Sequence, residues 1–160
     1  MNGQTNGRCG LNPFTYKHFL PPGQLKTVMI SDSNDLDGSF AAIESPIRYN
    51  LLANSINPDF GDKTKAFNRT PLTVLEPGTP CLVQYLDKRY YRAYILRDSV
   101  DHFRQLEVYF VDYGNVWSTD ASNLYVLDKD LLDMAVASYR CRLFNVNDNS
   151  KSKRLMVSSF

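Results

Sequence analysis

Hydrophobic and polar positions change their period several times along the chain, and each change predicts an element. Leu25-Lys-Thr-Val-Met-Ile30 is short, partly β-branched and bounded by turn formers, so it predicts a strand. Ser31–Gly38 is rich in Asp, Asn and Ser and predicts an acidic loop. Ser39–Glu44 predicts a second strand, which would complete a hairpin. The period then becomes helical. Ser45 suits the N-cap and Pro46 the first helical position, and Ile47, Leu51, Leu52 and Ile56 form one apolar face up to a stop near Asn57-Pro58. Asp59–Glu76 predicts a polar connection, in which Pro71 and Pro77 exclude a regular central strand.

From Pro77-Gly78 onward the strands are short and evenly spaced. Thr79–Leu86, Arg89–Asp98, Gln105–Asp112 and Asn115–Ser118 predict four strands, with turns at Asp87-Lys88 and Tyr113-Gly114. Such spacing predicts a small, highly bent barrel. Thr119–Leu127 predicts a turn or a single helical turn, with Leu124 and Leu127 packing back. Val136–Val146 predicts a long strand, and Ser152–Phe160 the beginning of a helix that the chain leaves barely formed, as a fragment of a longer module would. The flanks can pair with each other into a second small β-unit. The expectation is a mainly β fold with flanking helices (α+β), organised as a flexible arm over 1–15, an N-terminal flank over 16–76, a barrel over 77–126 and a C-terminal flank over 127–160.

Composition narrows this picture. A chain of 160 residues fits one domain and buries roughly 70% of its unfolded surface, so it needs no metal or disulfide for stability. A net charge of +1 argues against a nucleic-acid surface spread over the whole molecule. A local basic face could still draw on Lys63, Lys65, Arg69, Lys88, Arg89, Arg92, Arg97 and Arg104, several of which lie beside acids. Cys81 and Cys141 sit in apolar strand-like runs and Cys9 is left over, which points to reduced core thiols and an intracellular compartment. No apolar run approaches the ~20 residues of a membrane span. The N-terminus lacks the apolar core of a signal peptide. His18 and His102 are isolated, and Asp32, Asp35 and Asp37 read as a solvated loop and not as a metal site. Nothing predicts catalysis, a cofactor or a metal.

The candidate chemistry lies in the rings. Tyr85, Tyr90, Tyr91, Tyr94, Tyr109, Phe110 and Tyr113 crowd the barrel segment. Tyr85 ends the first barrel strand and Tyr91 begins the second, while Phe110 and Tyr113 flank the last turn. In a barrel of hairpins these two turns can share a rim, so the four rings can meet as a box, with Tyr94 and Tyr109 deeper or facing elsewhere. Asp112 reads as a turn-fixing carboxylate, and Gly114 as a position that needs backbone freedom.

The motifs Tyr90-Tyr-Arg-Ala and Phe110-Val-Asp-Tyr-Gly-Asn115, with the opening Pro77-Gly-Thr-Pro-Cys-Leu, resemble the Tudor family over Thr79–Tyr125. The layout of the flanks is similar to the extended Tudor type, in which the barrel is inserted in a split staphylococcal-nuclease-like (OB-type) unit. The resemblance implies a reader of symmetric dimethylarginine in Arg-Gly-rich tails of Piwi/Argonaute-type proteins, acting as a scaffold in small-RNA silencing in cytoplasmic, perinuclear germline granules. It assigns Tyr85, Tyr91, Phe110 and Tyr113 as the four rings and Asn115 as the polar partner. Tyr90 departs from the family, which usually has tryptophan there, and should affect packing more than recognition. A guanidinium between rings gains about 0.5–2 kcal/mol per good contact. Methylation keeps its charge while lowering the hydration lost on entry. The symmetric form keeps one N–H on each terminal nitrogen, which an Asn115 oxygen can accept. The expected affinity is about micromolar, roughly −6 to −8 kcal/mol. The alternative is a protein- or RNA-binding scaffold whose flanks hold the partner independently of methylation.

Overall fold

The computed structural model describes residues 11–15, 25–34, 38–43, 46–58, 69–98 and 105–142. Two antiparallel sheets organise these residues, and the fold is mainly β. One sheet has the order β1-β2-β8, from Met29–Asn34, Ser39–Ile43 and Ser138–Arg142. The other has the order β6-β5-β4-β3-β7. Its strands are β3 (Pro80–Gln84), β4 (Tyr90–Asp98), β5 (Gln105–Phe110), β6 (Val116–Asp120) and β7 (Leu124–Val126). Helix α1 spans Pro46–Ile56 and α2 spans Lys129–Asp133. The barrel sequence therefore lies between strands of the other sheet, whose β2 and β8 pair across it from Ser39↔Arg142 to Ile43↔Ser138.

The inside of the five-stranded sheet follows its alternation. Cys81 and Val83 on β3, Ala93 and Ile95 on β4, and Leu106, Val108 and Phe110 on β5 close one apolar core with Leu124. The opposite faces are also buried. Leu82 and Tyr90 pack against Leu52 and Ile56 of α1 and Leu131 of α2, and Tyr94 and Tyr109 pack with Phe14, Val111 and Val136.

Four expectations need correction. The first strand is Met29–Asn34 and not Leu25–Ile30; Leu25 is fully exposed at 101%. Residues 31–34, expected in the loop, pair with β2, because an edge strand beside the apolar, fully buried Ser39–Ile43 is chosen by backbone pairing and not by its own hydrophobicity. The helix α1 buries Leu52 and Ile56 but leaves Ile47 75% and Leu51 64% exposed. Its inner face is Tyr49–Leu52–Ile56, at spacings of three and four. The segment expected as a turn over Thr119–Leu127 holds a 3-10 turn, Ala121–Asn123, and then the strand β7, which pairs with β3. Thr70–Leu72, expected in a polar connection, joins the far side of β7: Leu72 N–H donates to the Leu124 carbonyl and Val126 N–H to that of Thr70. Pro71 stands there as an isolated bridge opposite Tyr125, at the sheet edge where a missing N–H costs least.

The expected α1 stop near Asn57 has a structural role. The Asn57 amide accepts from Tyr90 N–H at 2.8 Å and donates to the Tyr90 carbonyl at 3.0 Å, so it fastens the helix end to β4. Tyr90 also packs edge-on against Tyr125 at 5.3 Å and under the Arg69 guanidinium at 4.6 Å. Of the flexible arm expected over 1–15, residues 11–15 are described and Phe14 is buried against Tyr94, Tyr109 and Val136, so that part is held by packing; residues 1–10, His18, Ser45, His102 and the stretch from 143 to 160 lie outside the described residues.

Cys81 and Cys141 are free and buried. Burial pushes the Cys81 thiol up to about 12. A group whose pKa is raised on folding contributes its full stability below the unfolded value, here ~8.5. That contribution is lost as pH climbs through the folded value. Urea midpoints should therefore fall between about pH 9 and 12, and Cys81 should be alkylated only as the protein unfolds. Native-state labelling at the rate of an exposed thiol, read by peptide mass, would contradict the barrel core.

Candidate functional site

The β3–β4 and β5–β6 turns meet at one rim, and their sequences explain how. In the first turn Tyr85 N–H donates to the Arg89 carbonyl and Lys88 N–H to that of Tyr85, with Lys88 in the left-handed region at φ 67°. Asp87 organises this turn. Its Oδ1 accepts from Arg89 N–H at 3.0 Å, and its Oδ2 accepts from the Tyr91 hydroxyl at 2.6 Å. In the second turn Phe110 N–H donates to the Asn115 carbonyl, while Tyr113 and Gly114 N–H both donate to that of Phe110.

Tyr85, Tyr91, Phe110, Tyr113 and Asn115, all five positions singled out in the sequence, line one cavity of about 250 Å³. Phe110, buried in the barrel core, forms its floor. Tyr85 and Tyr91 stand edge-on to Phe110, each at 5.9 Å, and Tyr91 meets Tyr113 at 5.3 Å. Tyr94 and Tyr109 pack in a separate core, away from this cavity. Asp112 and Gly114 do not line it. Asp112 is buried against Arg92, and Gly114 abuts Ala41 of β2.

Three contributions were not anticipated. Tyr49 of α1 meets Tyr113 edge-on at 5.3 Å and 88°. Burial first, then the Asp112 charge, pushes its hydroxyl up to about 12. Tyr49 lies three residues before Leu52, which is the signal that could have found it. Second, Ser31 donates to the Tyr113 carbonyl at 2.7 Å. This bond comes from a register shift in β1 between Ile30 and Asp32, which directs Ser31 and Asp32 to the cavity wall. Third, the cavity has two carboxylates, Asp32 and Asp87. Asp32 was expected in a solvated loop and stands instead on a paired strand.

The electrostatics therefore suit a cation. Desolvation, and then the bond to Asp87, raise the Tyr91 hydroxyl above the ordinary tyrosine range, so it stays protonated and keeps donating to Asp87. Of the residues that could draw together a local basic face, Lys88 and Arg89 are exposed. Arg92 is buried, Arg69 is half-buried over Tyr90, and Arg97 pairs with Glu107. Lys63, Lys65 and Arg104 lie outside the described residues. Among the described residues no group of three His, Cys, Asp or Glu could hold a metal, and no helix is long and apolar enough to cross a membrane.

The family model described as Tudor domain matches residues 20–145. The chain belongs to the Tudor family. Tudor domain-containing protein 1 of Danio rerio is 37% identical over 132 residues, 76% of this chain. The chain spans 11% of that protein and 4% of a second relative, human Tudor domain-containing protein 6. Among solved structures, the extended Tudor domain TD3 of mouse TDRD1, in complex with a MILI peptide containing dimethylarginine, superposes with a TM-score of 0.61 at 20% identity. That match covers 81% of this chain and 64% of that one. The extended Tudor domain of Drosophila melanogaster Papi, bound to a dimethylated Piwi N-terminal peptide, gives 0.62 at 22% identity, covering 75% and 60%. Papi is also solved with the unmethylated peptide. This Tudor chain has the extended Tudor fold.

Proposed function

We propose that the cavity is an aromatic cage for symmetric dimethylarginine in Arg-Gly-rich tails of Piwi/Argonaute-type proteins. The module would act as a non-enzymatic scaffold in small-RNA silencing, in cytoplasmic, perinuclear germline granules; in its division of labour, 77–126 forms the barrel and 16–76 with 127–160 the split flank. The observation that carries the reading is the joining of four rings, one amide and two carboxylates around a single cavity. Each ring face in contact with a guanidinium contributes about 0.5–2 kcal/mol. Among the described residues the Asn115 side-chain amide has no protein partner, so its oxygen is available to a remaining N–H of the symmetric form. The net charge of +1 gives no long-range attraction, but Asp32 and Asp87 act within the screening length of about 8 Å.

The test is calorimetry with one Arg-Gly peptide, unmethylated and symmetrically dimethylated. The dimethylated form should bind at about micromolar Kd. Tyr113→Ala should weaken it roughly three- to thirtyfold, the equivalent of one ring contact. Asp87→Asn should weaken both forms and flatten the dependence on salt, since it removes a charge beside the ligand and the acceptor that holds Tyr91. Equal affinity for the two forms, unchanged by Tyr113→Ala, would overturn the reading.

A second reading, in which the flanks hold the partner independently of methylation, draws support from an adjoining cavity of about 310 Å³. It lies between the sheets, is lined by Asp32, Phe40, Tyr109 and Arg140 among others, and shares Asp32 with the first. Methylation-independent peptide binding abolished by substitutions there would favour it, and salt-dependent binding of single-stranded RNA would favour its RNA form.

A further inference from the structure

The chain has one tryptophan, and the aromatic cavity does not account for its position. Trp117 on β6 meets Tyr85 edge-on at 4.9 Å and lines another cavity, of about 280 Å³, whose lining overlaps the first only at Tyr85. Residues that carry acceptors line the same cavity: Asp120 with its carboxylate and Gln84, Gln105 and Asn123 with their side-chain amides. Two of these amides already direct their N–H groups at the protein. Gln84 donates to the Lys88 carbonyl at 3.4 Å and Asn123 to Thr119 Oγ1 at 3.1 Å, which leaves their oxygens as acceptors.

An unmodified guanidinium matches such walls. It is planar, donates five N–H bonds and accepts none, and indole is the strongest aromatic face for a cation. An anion would meet Asp120, and Lys88 is the one cationic side chain among the lining residues. We propose that this cavity seats a second, unmodified arginine of the same tail whose dimethylated arginine occupies the first. The proposal rests on the methylarginine reading above. Two residues of extended chain span at most about 7 Å, and the two seats share Tyr85 as a wall, so alternate arginines of an Arg-Gly-Arg segment suit the pair. Binding at the first seat makes binding at the second intramolecular, so the gain appears as avidity. Methylating the second arginine replaces N–H donors that the acceptor walls would use, so the site reads one modified and one unmodified arginine together.

The experiment compares four peptides at fixed salt. One carries a single symmetric dimethylarginine with alanine at the other arginine positions. The second adds an unmodified arginine two residues away, the third a lysine there, and the fourth a second dimethylarginine. The arginine peptide should bind about three- to tenfold tighter than the first, and more tightly than the lysine or doubly methylated peptides. It should also change Trp117 emission beyond the change produced by the first peptide. Asp120→Asn should remove most of the gain without weakening the first peptide; Trp117→Leu should remove it too, and it also takes away the ring that packs on Tyr85. Asp120 is exposed and its side chain makes no cap hydrogen bond, so that variant should fold even where Trp117→Leu does not. Lys88→Ser should increase the gain. If the arginine peptide binds no tighter than the first, or its gain survives Asp120→Asn, the second seat is overturned while the first stands. If none of the peptides binds, both readings fall.

Discussion

Asp112→Ala should cost about 3–5 kcal/mol, the usual effect of stranding one member of a buried ion pair. Arg92 and Asp112 have side-chain exposures of 0% and 4%. Every N–H of the Arg92 guanidinium has an acceptor. Nε donates to Asp112 Oδ2 at 2.9 Å and Nη2 to Oδ1 at 2.6 Å. Nη1 donates to the carbonyls of Leu131 and Met134, at 2.6 and 2.7 Å, and Nη2 also to that of Ala135 at 3.2 Å. Asp112 Oδ1 accepts in addition from Ala137 N–H at 2.9 Å. The pair thus fastens β4 and the β5–β6 turn to the chain between α2 and β8. Losing the carboxylate strands a buried cation and a buried N–H together. Against a typical stability of 5–15 kcal/mol, the variant should melt roughly 10 °C lower or more. Arg92→Lys should also lose most of this stability, because three donors on one nitrogen cannot serve five directions. A loss below about 1 kcal/mol for Asp112→Ala, by urea unfolding, would refute this account.

Arg92 also marks the limit of what the sequence reveals. The barrel alternation was legible because one face of each strand turns into a single core: Cys81, Val83, Ala93, Ile95 and Val108 alternate as a half-buried sheet requires. The same rule assigns Arg92 to solvent, and it is buried only because the chain from α2 to β8 covers the outer face. Nothing local records that cover. Edge strands were missed for a related reason. Residues 31–34 are held by the adjacent, buried β2 and residues 124–126 by β3, distant in sequence, so in both the pairing partner decides and their own composition carries little signal. At the candidate site the legible part was the set of rings, fixed by two local turns, and all five expected positions line the cavity. What stayed hidden comes from the flank: Tyr49, Ser31 and Asp32 reach the rim only when α1 and β1 pack against it.

Gly114→Ala should disturb that packing and the site together. Gly114 has φ +86°, where an L side chain costs about 1–2 kcal/mol. A Cβ built there would lie 2.2 Å from Ala41 Cβ and 3.6 Å from Ala41 Cα and the Tyr109 hydroxyl. Ala41 belongs to a fully buried strand, so neither side has a flexible tip that could swing away. Relief requires the β5–β6 turn and the three-stranded sheet to separate. That motion breaks the Ser31 bond to the Tyr113 carbonyl and releases Tyr113 and Asn115 from the cavity wall. The variant should therefore lose about 2–4 kcal/mol of stability, in the range of overpacking plus backbone strain. It should also lose affinity for a dimethylated peptide even at temperatures where it remains folded. The second-site variant Ala41→Gly separates the two causes. Combined with Gly114→Ala it removes the atom that collides but leaves the unfavourable φ, so a double-mutant cycle should show a favourable coupling of at least about 1 kcal/mol and recovery of most of the binding. Simple additivity of the two losses would mean that backbone strain alone accounts for Gly114, and that the two sheets do not meet at this point.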